Sequence, residues 1–400
     1  MLRKRFMVGA ALTLCALSTT SIAFAGGNDD GEGSERGTSA INLAVYGDAP
    51  YGTTPTDTAE FQASPGFINS INADPNVSGV IHVGDIHSGK QYCTQAYDQS
   101  IADLWTQFKD PLVYTPGDNE WSDCHKAAEG GGTYSAATGQ ITYATDPSTG
   151  MPIDYAGGNP VSNLALVRSI FFPQAGQTLG SGTLRVLSQA QVDNSAHPTD
   201  GQYVENVLWQ NKGFVFVTID VPGGSNNDAD PWYGAPIASP QQVTEAADRT
   251  AADLRWLDRA FGLAESQHAQ GVVVVTQADM WDLDGKTAAH LTNYEPVVSS
   301  LATHTTSFGK PVLLFTGDSH TYRSDNPLQQ GAPCVGDGTV CATDAWTSHP
   351  NYSVPNFHRI VVHGSTFPLE WLKLTITPGG HLPATATSFG PFSWQRMPQS

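Results

Sequence analysis

Four aspartates each follow a glycine at the close of a short apolar run. Gly47-Asp48 ends the run Ile41 to Tyr46, and Gly84-Asp85 ends Val80 to Val83. Gly117-Asp118 follows Leu112 to Tyr114 by way of Pro116, and Gly317-Asp318 ends Val312 to Thr316. A fifth run, Val272 to Val275, ends at Thr276-Gln277, and His320 stands two positions beyond Asp318. One Gly-Asp pair is an ordinary turn signal. Four of them at strand ends, joined by Gln277 and His320, fit separate turns poorly. Carboxylates brought together repel one another, so a site built from Asp48, Asp85, Asp118 and Asp318 requires a cation or shared protons. The chemistry implied is therefore that of a bound cation or of carboxyls that share a proton.

The elements that must carry these residues are strands alternating with helices. The five runs are rich in β-branched residues and nearly continuous, as strands buried on both faces are. Helices fit the intervals Thr58 to Asn72, Thr94 to Phe108 and Ser239 to Gln267. The last opens on Ser239-Pro240, a cap followed by proline in the first turn, and repeats Val243, Ala247, Leu254, Leu257 and Phe261 at helical spacing. Further strands are expected at Tyr203 to Trp209, Phe214 to Asp220, Phe357 to His363 and Leu369 to Thr377. Strand and helix in alternation predict a layered α/β domain with its site where the strands end. From His125 to Asp200 the pattern weakens around Gly130-Gly131-Gly132, which predicts a long surface excursion at the entrance to that site.

The order of the blocks resembles the calcineurin-like metallophosphoesterases, a superfamily that includes the purple acid phosphatases. The residues that carry the resemblance are Gly47-Asp48, Gly84-Asp85, Pro116-Gly117-Asp118-Asn119-Glu120, the strand end at Gln277 and Gly317-Asp318-Ser319-His320. It runs from about Ile41 to Thr377. It implies a four-layer αββα sandwich and one or two divalent cations (Mn, Mg, Ca or Fe) that bind phosphate and activate water. Asp85 would be the carboxylate shared by two cations. Asp48 and His320 would complete one site, and Asp118, Gln277 and Asp318 the other. Asn119 would contact the substrate phosphate. Apart from the resemblance, Arg323 is a candidate for a phosphate oxygen, which a guanidinium matches bidentately, with a salt bridge to one of the many acids competing.

Departures from the family pattern are several. The first block usually reads Asp-x-His, but Ala49-Pro50 follows Asp48. Asp118 stands where an asparagine ligand is usual, and Asn119 where the histidine that protonates the leaving group is usual. Gln277 and Asp318 each replace a histidine. Exchanging nitrogen for oxygen donors shifts preference from zinc, copper or iron toward magnesium, manganese or calcium. His87, two residues past Asp85, is a candidate replacement for the lost imidazole in catalysis. Tyr51 and His125 are weaker candidates for the pocket, as are Asn293 and Tyr294. Surface or packing roles compete for each of them.

Charge and cysteines bound the setting. The chain has 19 basic and 38 acidic residues, a net charge of −19. Such a surface repels nucleic acid and anionic lipid. Arg3, Lys4 and Arg5, an apolar stretch from Phe6 to Leu17 and Ala23-Phe24-Ala25 make a signal peptide over residues 1–25. A flexible Gly/Ser/acidic leader over 26–39 follows, then one phosphoesterase domain over 40–400 with its insertion at about 125–200. A secreted or periplasmic location with no stable membrane association follows. Four cysteines remain after the leader. Of three pairings, Cys93–Cys124 with Cys334–Cys341 is favoured, because the second pair brackets the glycine-rich turn Val335-Gly336-Asp337-Gly338.

Two functions are then in play. One is hydrolysis of a small phosphate ester by metal-activated water. The other is a weakly active or inactive relative that binds a cation or phosphate without turnover, which the missing histidines favour. A Ser-His-Asp hydrolase is disfavoured by the lack of a Gly-x-Ser-x-Gly elbow.

Overall fold

The computed structural model describes residues 39–52, 56–227, 230–282 and 287–399. The expected signal peptide and nearly all of the flexible leader lie outside the described residues. Among those described, the chain builds two large mixed sheets. In the six-stranded sheet the order is Ser388–Phe389, Phe392–Pro398, Glu370–Ile376, Ile41–Tyr46, Val80–His82, Leu112–Tyr114. The nine-stranded sheet has the parallel strands Phe214–Thr218, Gly271–Val275, Val312–Thr316 and Phe357–Val361 side by side at its centre.

Side-chain alternation along the strands sorts the core into layers. Leu43, Val45, Ile81, Val83 and Val113 pack against Phe216, Val273, Val275, Leu313, Phe315 and Ile360, filling the space between the sheets. The intervening residues Ala44, Tyr46, Val80, Leu112 and Tyr114 face helices Ala59–Asn72, Gln95–Trp105 and Pro160–Phe171. Val272, Val274, Val312 and Leu314 face Pro240–Ser266 and Glu295–Phe308 on the other side. The result is helix, sheet, sheet, helix, the expected α/β sandwich. Each large side chain fully buried in these layers contributes about 1.5–3 kcal/mol of hydrophobic stabilisation.

Local chemistry sets the helix starts. Thr94 accepts from the amide of Tyr97, Asn159 from Ser162 and Ser239 from Gln242, each cap satisfying one orphan donor of a first turn. Helix Pro160–Phe171 lies within the stretch read as an excursion, and its Val167 and Phe171 are buried in the core. Along helix Pro240–Ser266 the expected apolar stripe is buried at Leu257 and Phe261, but the first turns present another face. Val243 is 52% exposed, while Gln242, Arg249 and Asp253 are buried. Both favoured disulfides form, Cys93–Cys124 and Cys334–Cys341. No described helix is long and apolar enough to cross a membrane.

Candidate metal centre

The three strands Ile41–Tyr46, Val80–His82 and Leu112–Tyr114 run parallel, so their carboxyl ends lie side by side. Gly271–Val275 and Val312–Thr316 do the same in the facing sheet. At these ends the glycine of each Gly-Asp pair occupies space that a larger residue could not. A β-carbon on Gly117 would fall 1.9 Å from Asp85 Oδ1, and one on Gly317 2.4 Å from Asp48 Oδ2. One on Gly84 would meet the Gln277 side chain at 2.6 Å. Gly84, Gly117 and Gly317 thus each admit a polar side chain from a neighbouring block, whereas Gly47 makes room for Val83.

The backbone is strained at the same places. Asp48, Asp85, Asp318 and His320 have φ of 48°, 60°, 68° and 62°. Left-handed conformations cost non-glycine residues about 1–3 kcal/mol each and persist where surrounding structure over-determines them. His82 supplies part of that hold. Its Nδ1 accepts from Gly84 N at 3.1 Å and its Nε2 lies 2.9 Å from Ala49 O, which fixes the neutral tautomer with the proton on Nε2.

Asp48, Asp85 and His320 come together, with one potential ligand atom from each lying within 4.8 Å of the others. Asp48 Oδ1 accepts from Asp318 N at 3.0 Å, while Oδ2 is buried without a hydrogen-bond partner. Asp85 is more fully engaged. Its Oδ2 accepts from Tyr51 Oη at 2.5 Å and Asn119 Nδ2 at 2.9 Å, and its Oδ1 accepts from Asn119 N at 3.2 Å. Burial, and then the negative charges around them, push both carboxyls well above the ordinary aspartate range. For Asp48 those charges are Asp318, Asp118 and Glu120; for Asp85 they are Asp118, Glu120 and Asp48. Such groups hold either a proton or a cation. A buried carboxylate oxygen left unpaired, a second carboxylate and an imidazole fit a divalent cation, and the oxygen-rich set matches Mg, Mn or Ca better than zinc.

A second pair of carboxylates adjoins the first. Asp118 Oδ2 and Asp318 Oδ1 lie 2.5 and 2.8 Å from where a β-carbon of Gly223 would stand, so both face the space that the glycine leaves open. Gln277 spans this region. Its Oε1 accepts from Gly223 N at 2.5 Å, which turns its Nε2 toward Asp118 Oδ1 at 2.9 Å. In this arrangement the glutamine presents a donor to Asp118. Gly223 begins a turn in which Gly224, Ser225, Asn226 and Asn227 all have φ between 58° and 63°. Arg249 holds that turn through Asn226 Oδ1 at 2.6 Å and Asn226 O at 3.1 Å, and Tyr294 Oη accepts from Ser225 N at 3.0 Å.

The remaining expected residues are placed as follows. Asn119 lies in the site, its Nδ2 shared between Asp85 and Tyr51 Oη at 2.8 Å. His87 is fully buried, its Nε2 has no partner, and burial lowers its pKa to about 4. It is therefore neutral near pH 7 and has no proton ready to give as an imidazolium. His125 accepts from Tyr233 N at 3.0 Å. Arg323 lies 3.1 Å from Asp325 Oδ2 and donates to Thr343 O at 2.7 Å.

Three residues near the centre carried no assigned role in the sequence. Glu120 Oε1 accepts from Gly117 N at 2.6 Å, Asp85 N at 3.2 Å and Tyr114 Oη at 2.5 Å, tying two blocks together. The signal was available: a glutamate can reach back three residues to a turn amide, as in a capping box. Asp279 N donates to Asp318 Oδ2 at 3.3 Å, and its carboxylate takes Ser319 Oγ at 2.8 Å and the buried Arg359. Gly223 had no signal beyond a Pro-Gly-Gly turn.

No protein-family model matches the chain, and no curated protein matches it. Among solved structures it is similar to a purple acid phosphatase from yellow lupin (Lupinus luteus) seeds, at 12% identity and a TM-score of 0.40. The match covers 91% of this chain and 52% of that one, so this chain spans about half the length of the lupin protein. No chemistry follows from a likeness of that size.

Proposed function

We propose that the chain is a divalent-cation-dependent phosphoesterase acting on small phosphate esters. The observation that carries the reading is the buried, unpartnered Asp48 Oδ2 beside Asp85 and His320. In this reading Asp48, Asp85 and His320 hold one cation. Asp118 and Asp318 would hold a second, with Asp85 shared between the two and Gln277 orienting Asp118. Cations so held would supply charge for a phosphoryl group and lower the pKa of water. Tyr51 and Asn119 fix the Asp85 carboxylate, and the amides of Asp318 and Asp279 fix Asp48 and Asp318. An export leader over residues 1–25 and a single domain over 40–400 belong to the same reading, and the two disulfides suit an oxidising compartment. The acidic surface disfavours nucleic-acid substrates.

A reading without turnover has one specific support. Asn119 has no acidic proton, and the neutral, buried His87 offers none near pH 7, so neither of these two residues protonates a poor leaving group. The experiment is cation content by mass spectrometry, then hydrolysis of p-nitrophenyl phosphate with added Mn2+ before and after Asp85→Asn. Bound cation with turnover, both lost in the variant, supports the phosphoesterase. Bound cation without turnover supports the binding protein. Absence of bound cation at millimolar Mn2+ defeats both.

A further inference from the structure

A cavity of about 510 Å3 opens beside the candidate metal centre. Asp279 and Ser319 line it; Asp279 N donates to Asp318 Oδ2 at 3.3 Å, and Ser319 stands between Asp318 and His320 in sequence. The cavity therefore begins one residue away from two proposed cation ligands. One wall is the hairpin Val335–Gly336 and Thr339–Val340, whose base is closed by Cys334–Cys341. Its volume falls in the range of small-molecule sites, about 300–1,000 Å3.

The charges on its surface are already committed. Asp279 is paired with the buried Arg359, which also holds Asp325 at 2.8 Å. Arg323 donates from Nε to Cys334 Sγ at 3.3 Å and from Nη2 to the carbonyl of Thr343 at 2.7 Å, and its Nε lies 3.1 Å from Asp325 Oδ2. Its guanidinium is thus an anchor for the wall. The other charged lining residues, Asp282 and Asp337, are acids, and Asp337 has Arg396 at 3.6 Å and His363 at 3.9 Å behind it. The rest of the polar surface is hydroxyl, including Ser319, Thr321, Thr339 and Thr343. Among the described lining residues the one cation, Arg323, already lies against Asp325, so a second phosphate or carboxylate placed here would meet mainly carboxylates. Hydroxyl groups would meet acceptors and donors on several sides.

We propose that this cavity receives the alcohol portion of the substrate and selects uncharged, hydroxyl-rich alcohols, so that the preferred ester is a sugar or polyol monophosphate. The inference rests on the phosphoesterase reading of the adjoining centre. Esters carrying additional phosphates are discriminated against by the acidic lining, through repulsion in a partly enclosed space.

The test uses the full chain with Mn2+ and three probes: glucose 6-phosphate, fructose 1,6-bisphosphate and inorganic phosphate. Val340, 81% exposed at the cavity lip, is replaced in Val340→Trp to fill the space, and Thr339→Arg adds a cation to the wall. Expected are at least tenfold tighter binding of the monophosphate than of the bisphosphate, read by calorimetry and by kcat/KM. Val340→Trp should weaken glucose 6-phosphate at least fivefold and leave inorganic phosphate unchanged, since the latter has no alcohol portion. Thr339→Arg should remove most of the discrimination against the bisphosphate. Equal handling of the two sugars, or an unchanged glucose 6-phosphate affinity in Val340→Trp, overturns the cavity assignment while leaving the metal centre intact. Failure of inorganic phosphate to bind in the presence of Mn2+ overturns the centre and the cavity assignment together.

Discussion

Gly117 and Asp85 leave no room between them, since a β-carbon on the glycine would fall 1.9 Å from Asp85 Oδ1. The contact joins the second and third Gly-Asp blocks and aims the carboxylate shared by the proposed ligand set. Gly117→Ala must therefore displace Asp85 or shift the turn. The expected outcome is a loss of Mn2+ affinity of about a hundredfold, with a stability loss of about 1–3 kcal/mol from overpacking. Gly201, where a β-carbon meets nothing within 4 Å, is the control, and Gly201→Ala should change stability by less than about 0.5 kcal/mol. Calorimetric titration with Mn2+ and urea unfolding read the two effects. Normal cation binding by folded Gly117→Ala would remove Asp85 from the centre.

Tyr51 tests the support of the same carboxylate from the other side. Its hydroxyl donates to Asp85 Oδ2 at 2.5 Å and accepts from Asn119 Nδ2 at 2.8 Å. Tyr51→Phe keeps the ring, which meets His320 edge-on at 5.1 Å between centroids, and removes only the hydroxyl. Hydrogen bonds behind a ligand commonly govern affinity or activity by 10–100-fold. The variant should lose cation affinity or kcat within about that range while unfolding close to the wild-type midpoint.

Most of the framework was legible because periodicity and turn chemistry are local. The runs ending at Asp48, Asp85, Asp118, Gln277 and Asp318 are strands, and the cap at Ser239 starts the long helix where expected. What escaped was set by distant partners. Val243 fits a helical stripe yet faces solvent, because Gln242, Arg249 and Asp253 turn inward to serve the 222–227 turn and its neighbours. No local pattern marks an arginine for burial. In the same way Asp279 reads as an unremarked acid after a strand, and only the fold brings Arg359 and Ser319 to it.

His82 couples stability to pH. Burial lowers its pKa from 6.5 to about 4, despite its bond to Ala49 O. The unfolded chain therefore takes up a proton that the folded chain refuses. The stability this histidine contributes is complete above about pH 6.5 and is lost as pH falls toward 4, by up to about 3 kcal/mol at 1.36 kcal/mol per pKa unit. Protonation would also place a hydrogen on Nδ1 against the amide of Gly84. Urea unfolding of chelator-treated protein between pH 7.5 and 4 should show this fall. His82→Asn should be less stable at pH 7.5 but flatter across the range. An equal slope in the variant would assign the acid sensitivity to other groups.

The disulfide Cys93–Cys124 closes a loop of 31 residues, and both sulfurs lie near the carbonyl of Asn119, at 3.2 and 3.6 Å. Restricting a loop of that length in the unfolded chain stabilises by about 3–4 kcal/mol on the chain-entropy account. The double variant Cys93→Ala, Cys124→Ala should lose about that much in urea unfolding. It should also bind Mn2+ more weakly, because Asn119 is one of the groups holding Asp85. Loss of stability with unchanged cation affinity would confine the bridge to a structural role.

Gln277 discriminates between two architectures for the second carboxylate pair. Its Oε1 is occupied by Gly223 N at 2.5 Å, and its Nε2 faces Asp118 Oδ1 at 2.9 Å. If the amide orients Asp118 by donation, Gln277→Glu retains the bond to Gly223 and sets a carboxylate oxygen against Asp118. Like charges at that separation disfavour one another strongly in a buried setting, so cation affinity and activity should fall at least tenfold. Gln277→Met, which keeps length but supplies no donor, should fall less. Were the side-chain oxygen itself a ligand, glutamate would be the better donor and Gln277→Glu would bind Mn2+ more tightly than wild type. Titration of the wild type and both variants at one pH decides the matter by the order of affinities, and the hydrogen-bond geometry predicts wild type first, methionine second and glutamate last.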